Sequence, residues 1–181
     1  IDQTNPLSVD LVDNCYIAVC YQTMSKIASL LNKADDSRGY KAKYDALTKR
    51  IQETFYDAKG NTYASGTQID LVYPMLAGVT PDNLKETVLK TLYEVTANRF
   101  QGHLATGLVG IPVLTEWAVK NGQAEWMYQM LKKRDYPGYL YMLDNGATTT
   151  WEHWNGERSH IHNCYNGIGA WFYQALAGIM P

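Results

Sequence analysis

Apolar positions recur along most of this chain at three- and four-residue intervals, the pattern of amphipathic helices. From Ser8 onward, Leu11, Cys15, Ala18, Val19, Tyr21, Met24, Ile27, Ala28 and Leu31 form one stripe and predict a long helix ending near Asn32. A polar connection is expected over 35–39. Tyr40, Tyr44, Leu47, Ile51 and Phe55 then mark a second helix, with Lys41, Lys43, Lys49, Arg50 and Glu53 on its wet side. Residues 57–60 should stop it, with Gly60 in the left-handed position at its end. A polar stretch leads to a short apolar helix over 68–77, which Pro74 should disturb by removing a donor. Pro81, behind a Thr80 cap, opens the next helix, whose Leu84, Val88, Leu92 and Val95 share a face. The period lapses over 100–108 and resumes over 109–119. It stops at Asn121-Gly122, then returns through Ala124, Met127, Tyr128 and Leu131 to a basic end at Lys132, Lys133 and Arg134. Residues 135–167 are irregular and dense in Tyr, Trp, Gly, Thr and His. Ile168, Trp171, Phe172, Ala175, Leu176 and Ile179 finish the chain as a helix.

The pattern gives an all-α fold of about seven helices in antiparallel hairpins, with no strand expected outside the long loop. Short joins at 35–39, 78–80 and 121–122 alternate with glycine-rich ones at 58–66, 100–108 and 135–167. Alternate connections between consecutive antiparallel helices lie at opposite ends of a bundle, so the three irregular joins are expected at one rim. A helical solenoid is the competing architecture, but no fixed-period consensus is visible.

The length of 181 residues suits one domain or a large piece of one. Sixteen basic against eighteen acidic residues leave a net charge of −2. No basic run could track a phosphate backbone, so nucleic acid is not expected as a partner. No apolar run is long enough for a membrane span. No signal peptide is visible, and both ends read as cut. Cys15, Cys20 and Cys164 offer neither a disulfide framework nor a paired metal motif and read as small apolar packers. Fourteen Tyr and five Trp against three Phe favour rings with a hydrogen-bonding handle, which suit a wet, concave site.

On the expected rim, Thr67, Gln68 and Asp70 come from the first irregular join and His103 and Thr106 from the second. The third supplies Asp144, Trp151, Glu152, His153, Trp154, Glu157, His160 and His162. A loop this long inside a compact domain is functional or disordered, and its many rings argue for function. Glu152 lies between Trp151 and Trp154 in sequence. Indoles offer platforms for sugar C–H faces, and partial desolvation would raise a neighbouring carboxyl toward neutral pH. The plainer alternative has Glu152 paired with Arg158 or capping a local turn, with the indoles as loop core. His160, His162 and His103 match no zinc signature, and no metal or cofactor is expected. A Cys164–His162 nucleophilic pair lacks an orienting group.

The stretch Gly146-Ala-Thr-Thr-Thr-Trp-Glu-His-Trp-Asn-Gly156 resembles the Gly-Ala-Thr-Thr, Trp-Glu-x-Trp signature of bacterial α-L-rhamnosidases, glycoside hydrolase family 78. His160-Ile-His162, Tyr165, Trp171-Phe-Tyr173 and Leu176-Ala-Gly-Ile179 are similar to the family's histidine motif and closing helix. Gly66-Thr-Gln68, Pro81-Asp-Asn83 and Gly102-His-Leu-Ala-Thr-Gly107 fall in the same order upstream. The resemblance implies an (α/α)6 toroid of which residues 1–181 are the C-terminal part, its upstream half and flanking β-sandwich domains lying outside this chain. It implies inverting hydrolysis of terminal α-L-rhamnosides, with a rhamnose-containing oligosaccharide or glycoside as the partner. Glu152 would be the general base; His103, Trp151, Trp154, Thr106 and Gln68 would line the sugar site, and His162 would contact the sugar or support the base.

Two departures matter. Ile161 stands where many members carry Asn, and nothing here matches the upstream aspartate- and arginine-rich motif that holds the general acid. The chain alone is therefore expected to be inactive, and to self-associate through the truncated face of the toroid. A noncatalytic carbohydrate-binding helical domain and a plain helical scaffold for a protein partner are the other readings. Polymeric rhamnosides do not cross membranes, so a periplasmic or extracellular location in a bacterium is expected.

Overall fold

In the computed structural model, which describes residues 4–180, every long element is a helix. The chain divides after Thr91 into two bodies. In the first, helix α1 (Pro6–Leu30) starts behind Asn5, whose side-chain oxygen accepts the Leu7 N–H at 3.0 Å. It ends at Asn32, which takes a left-handed conformation (φ 56°). The Asn32 and Lys33 amides return there to the Ser29 and Ala28 carbonyls. Helix α2 (Ala34–Phe55) begins at once. Residues 35–39 are thus the first turns of α2 and not a connection, because Asp35 and Asp36 suit the positive end of the helix dipole. The two helices form an antiparallel hairpin in which α1 buries Leu11, Val12, Cys15, Ala18 and Ala28. Burial, with Asp70 adding to it, pushes the Cys15 thiol far above its ordinary value. Cys15 is an apolar packer, and Cys20 is a half-buried free thiol. The side chain of Cys164 lies outside the described residues.

A small hairpin follows that periodicity could not reveal, since each strand has two residues. Strands β1 (Tyr56–Asp57) and β2 (Thr62–Tyr63) pair antiparallel, Tyr56 opposite Tyr63. The left-handed residue of this turn is Asn61 (φ 49°) rather than Gly60. Helix α3 (Gln68–Leu76) carries a capping box made by Thr67 and Asp70. Asp70 is fully buried and also accepts the hydroxyls of Ser8 and Ser65, each at 2.6 Å. Pro74 falls in the last turn of α3, and the helix runs on past it to Leu76 all the same. Helix α4 (Asp82–Glu94) buries Val88 and Leu92. It closes in a wide turn, in which the Phe100 N–H reaches back five residues to Val95.

The second body contains α5 (Gly110–Lys120), α6 (Ala124–Leu131), α7 (Tyr139–Asp144) and α8 (Ile168–Trp171), the last continued by a wide turn through Leu176. Ile111, Leu114, Trp117, Ala118, Met127, Met142, Ile168 and Trp171 form its core. Gly110 has no room for a side chain: a Cβ there would sit 2.4 Å from that of Thr106. Helix α7 lies inside the stretch expected to be irregular throughout; its six residues are nearly all apolar and too few to display a period. Residues 145–162 are irregular, as expected. No helix among the described residues is long and apolar enough to cross a membrane.

Candidate functional site

The irregular stretch between α7 and α8 folds back on itself as an unclassified hairpin. The His162 N–H donates to the Thr150 carbonyl at 3.0 Å, and the Glu152 N–H donates to the Ser159 carbonyl at 2.8 Å. Two residue steps on the outgoing side thus face three on the return, a bulge of the kind that re-aims side chains. Hydroxyls reinforce the pairing, Thr149 donating to the His160 carbonyl and Thr150 to that of His162. The tip turns at Gly156 (φ 79°), where a Cβ would press on the Trp151 ring at 3.0 Å.

In an extended segment neighbouring side chains point to opposite faces, and this separates Trp151 from Glu152. Trp151 is 6% exposed, stacked on His160 with ring centroids 4.8 Å apart and closed off by Gly156. It is loop core, and a sugar platform does not fit that placement. Trp154 stacks on Tyr165 at 4.0 Å and meets the Tyr139 ring edge-on, so it too is tied into an aromatic cluster.

The Glu152 side chain is a quarter exposed. Its carboxylate accepts the Ser159 N–H at 3.3 Å and lies 3.5 Å from Arg158 Nη1 and 3.9 Å from His153 Nε2. The Ser159 N–H holds the carboxyl below its ordinary range, against some desolvation, with His162 and Arg158 adding to the effect. The expectation of a carboxyl raised by indoles is therefore reversed, because the indoles do not enclose it and donors do. Glu152 is an ionised hydrogen-bond acceptor.

His162, whose charge acts on Glu152, lines a cleft of about 750 Å³ together with Thr149, Thr150, Ile161, Asn163 and Asn166. Ile161 is 81% exposed there, and Asn163 and Asn166 line the same cleft. Thr149, Thr150, Asn163 and Asn166 escaped sequence reasoning, although the threonines stood inside the quoted motif. Their spacing was the available signal, for Thr150 and Glu152 share one side of an extended segment.

The other expected contacts lie elsewhere. His103 is 4% exposed, with Nδ1 2.7 Å from the Pro137 carbonyl and Nε2 3.1 Å from the Asp135 carboxylate. Both ring nitrogens are engaged, and the ring pins the 100–108 join to the start of the long loop. The second and third irregular joins do meet, but His103 serves as their tie and not as an open sugar contact. Thr106 is 5% exposed against Gly110, and its hydroxyl has no hydrogen-bond partner among the described residues. Gln68 belongs to the first body and is fully buried, which does not fit contact with a sugar. Among the described residues no three His, Cys, Asp or Glu side chains gather as a metal site.

Residues 1–176 match the family described as bacterial alpha-L-rhamnosidase 6 hairpin glycosidase domain. An alpha-L-rhamnosidase of Formosa agariphila is 28% identical over 189 residues, an alignment covering 96% of this chain and 20% of that protein. The solved alpha-L-rhamnosidase of Dictyoglumus thermophilum superposes with a TM-score of 0.79 at 31% identity, covering 88% of this chain and 19% of its own. That of Streptomyces avermitilis, solved in complex with L-rhamnose, gives 0.85 at 26% identity, covering 95% and 17%. The chain thus spans about a fifth of the length of these relatives.

Proposed function

The chain belongs to the bacterial α-L-rhamnosidase six-hairpin glycosidase family, and from that premise we propose that it forms part of the active site of an inverting α-L-rhamnosidase. Glu152 is its general base. The observation that carries this reading is the ionised, part-exposed Glu152 carboxylate, which feels the charge of His162, a residue lining the cleft. In the reaction Glu152 takes a proton from water as the water oxygen attacks the anomeric carbon from the face opposite the glycosidic bond. That bond breaks as the leaving oxygen gains a proton from an acid. Inversion needs the two carboxyl groups roughly 6.5–9.5 Å apart, with room for the water. Among the other carboxylates of the long loop, Asp144 is paired with Arg134, Asp135 is tied to His103, and Glu157 stands exposed next to the Gly156 tip. The acid is assigned to sequence upstream of this chain, which makes residues 1–181 the C-terminal part of the catalytic toroid.

In the cleft, the Asn163 and Asn166 carboxamides supply the polar contact that Ile161 cannot. A terminal rhamnose of a glycoside or oligosaccharide is the substrate, and large rhamnosides place the enzyme outside the cytoplasm. The test is hydrolysis of an aryl α-L-rhamnoside by the full-length protein carrying this sequence and by the 181-residue chain. The first should turn over and the second should not. An inactive full-length protein, or an active isolated chain, would contradict the division of labour proposed here.

A further inference from the structure

The threonine run 148–150 is the part of the signature motif that the proposed reaction leaves without a task. We propose that Thr150 is the positioning residue that sets His162 against Glu152. The proposal rests on the reading of Glu152 as general base.

Three contacts converge on this residue. Its carbonyl takes the His162 N–H at 3.0 Å, and its hydroxyl donates to the His162 carbonyl. The same hydroxyl lies 2.7 Å from the Asn166 side-chain oxygen position. One residue thereby grips both sides of His162 along the backbone, which fixes the direction in which the imidazole leaves the chain. A hydroxyl has a single proton. It goes to the His162 carbonyl, which can only accept, and Asn166 completes the set by turning its amide NH2 toward Thr150 Oγ1. Asn166 in turn opens the turn that leads into α8, since the Gly169 N–H donates to its carbonyl at 2.9 Å. Thr150 thus joins the segment bearing Glu152, the segment bearing His162 and the entry to α8. Both of its partners in this network, His162 and Asn166, and Thr150 itself stand at the 750 Å³ cleft.

Thr149, one position earlier, holds the His160 carbonyl instead, and His160 is stacked on the buried Trp151. The two adjacent hydroxyls therefore divide the work: Thr149 anchors the core side of the hairpin and Thr150 the cleft side. A valine at 150 keeps the size and branching of threonine but puts a methyl where the hydroxyl met two polar groups. Both must move away, and His162 with them.

The experiment is steady-state kinetics against pH on an aryl α-L-rhamnoside, using the full-length protein. Thr150→Val should lower kcat roughly ten- to hundredfold with KM little changed, as misplacement near the reacting atoms does. The groups facing Glu152 are the Ser159 N–H, Arg158, His153 and His162. Displacing His162 should move the acid limb of kcat/KM to higher pH, a change that mere loss of stability would not produce. Thr150→Ser, which restores the hydroxyl, should restore both kcat and the limb. If Thr150→Val does not fold, Thr150→Ala is read in the same way. A native kcat and limb in the Val or Ala variant, or a Ser variant as slow as Val, would overturn the proposal. Glu152→Gln, run alongside, separates the two failures. Normal turnover there removes the base assignment and this inference together, whereas a dead Gln variant beside a native Val variant removes this inference alone.

Discussion

Glu152 sits at the point where a sequence motif turns into chemistry, and its surroundings decide what chemistry is open to it. Donors surround the carboxylate: the Ser159 N–H, the Arg158 guanidinium and the His162 ring all favour the charged form. A base works only when deprotonated, so activity is lost as pH falls through its pKa. Because that pKa is lowered, the acid limb of kcat/KM should lie below the ordinary glutamate range. Arg158→Ala removes one of the lowering influences and should shift the limb upward. Arg158 is 72% exposed, so added salt should shrink the difference between variant and parent. An unmoved limb, or one that moves down, would contradict this electrostatic account. The sequence singled out Glu152 and His162 as candidates, but it concealed the sign of the shift. Trp151 and Trp154 flank the glutamate in the written order, whereas in space alternation turns Trp151 away and Tyr165 claims Trp154. Adjacency along a chain is a poor guide to adjacency around a carboxylate.

Among the elements, the long helices were readable because their stripes repeat over several turns. The β1–β2 hairpin and α7 were not, since the strands have two residues each and α7 spans fewer than two helical turns, too short for a pattern to repeat. The first irregular join shows a different failure. Asp70 and Gln68 looked like rim chemistry, yet both are fully buried, and Asp70 is the acceptor that joins α1 to the start of α3. Polar residues ahead of an apolar helix read alike whether they face solvent or cap the helix from within. Asp70→Ala would remove the buried carboxylate that accepts from the Ser8 and Ser65 hydroxyls and the Thr67 N–H. A loss of about 3 kcal/mol in stability is expected, on the scale of buried donors left unpaired. Urea unfolding of the dilute 181-residue chain measures it, and a loss under about 1 kcal/mol would show that the capping box is not what holds α3.

On the scale of the whole molecule, the family's hairpin class was legible from the alternation of long helices with short and wordy joins. Two of the three irregular joins meet through His103, Asp135 and Pro137. The chain leaves apolar surface uncovered: Ile17, Met24, Ile27 and Leu31 lie exposed along α1, and Phe172, Tyr173 and Leu176 near the other end. Isolated residues 1–181 should therefore self-associate, with sedimentation coefficients that rise with concentration. A clean monomer at every concentration would contradict that expectation. The central claim concerns one carboxylate, and the most direct measurement is turnover and ligand binding by the full-length Glu152→Gln protein. Loss of turnover by roughly 10³-fold or more, with rhamnoside binding retained, is the predicted result. Turnover within about tenfold of the parent would show that the proton is taken elsewhere, and absence of turnover in the parent itself would leave a sugar-binding domain in place of an enzyme.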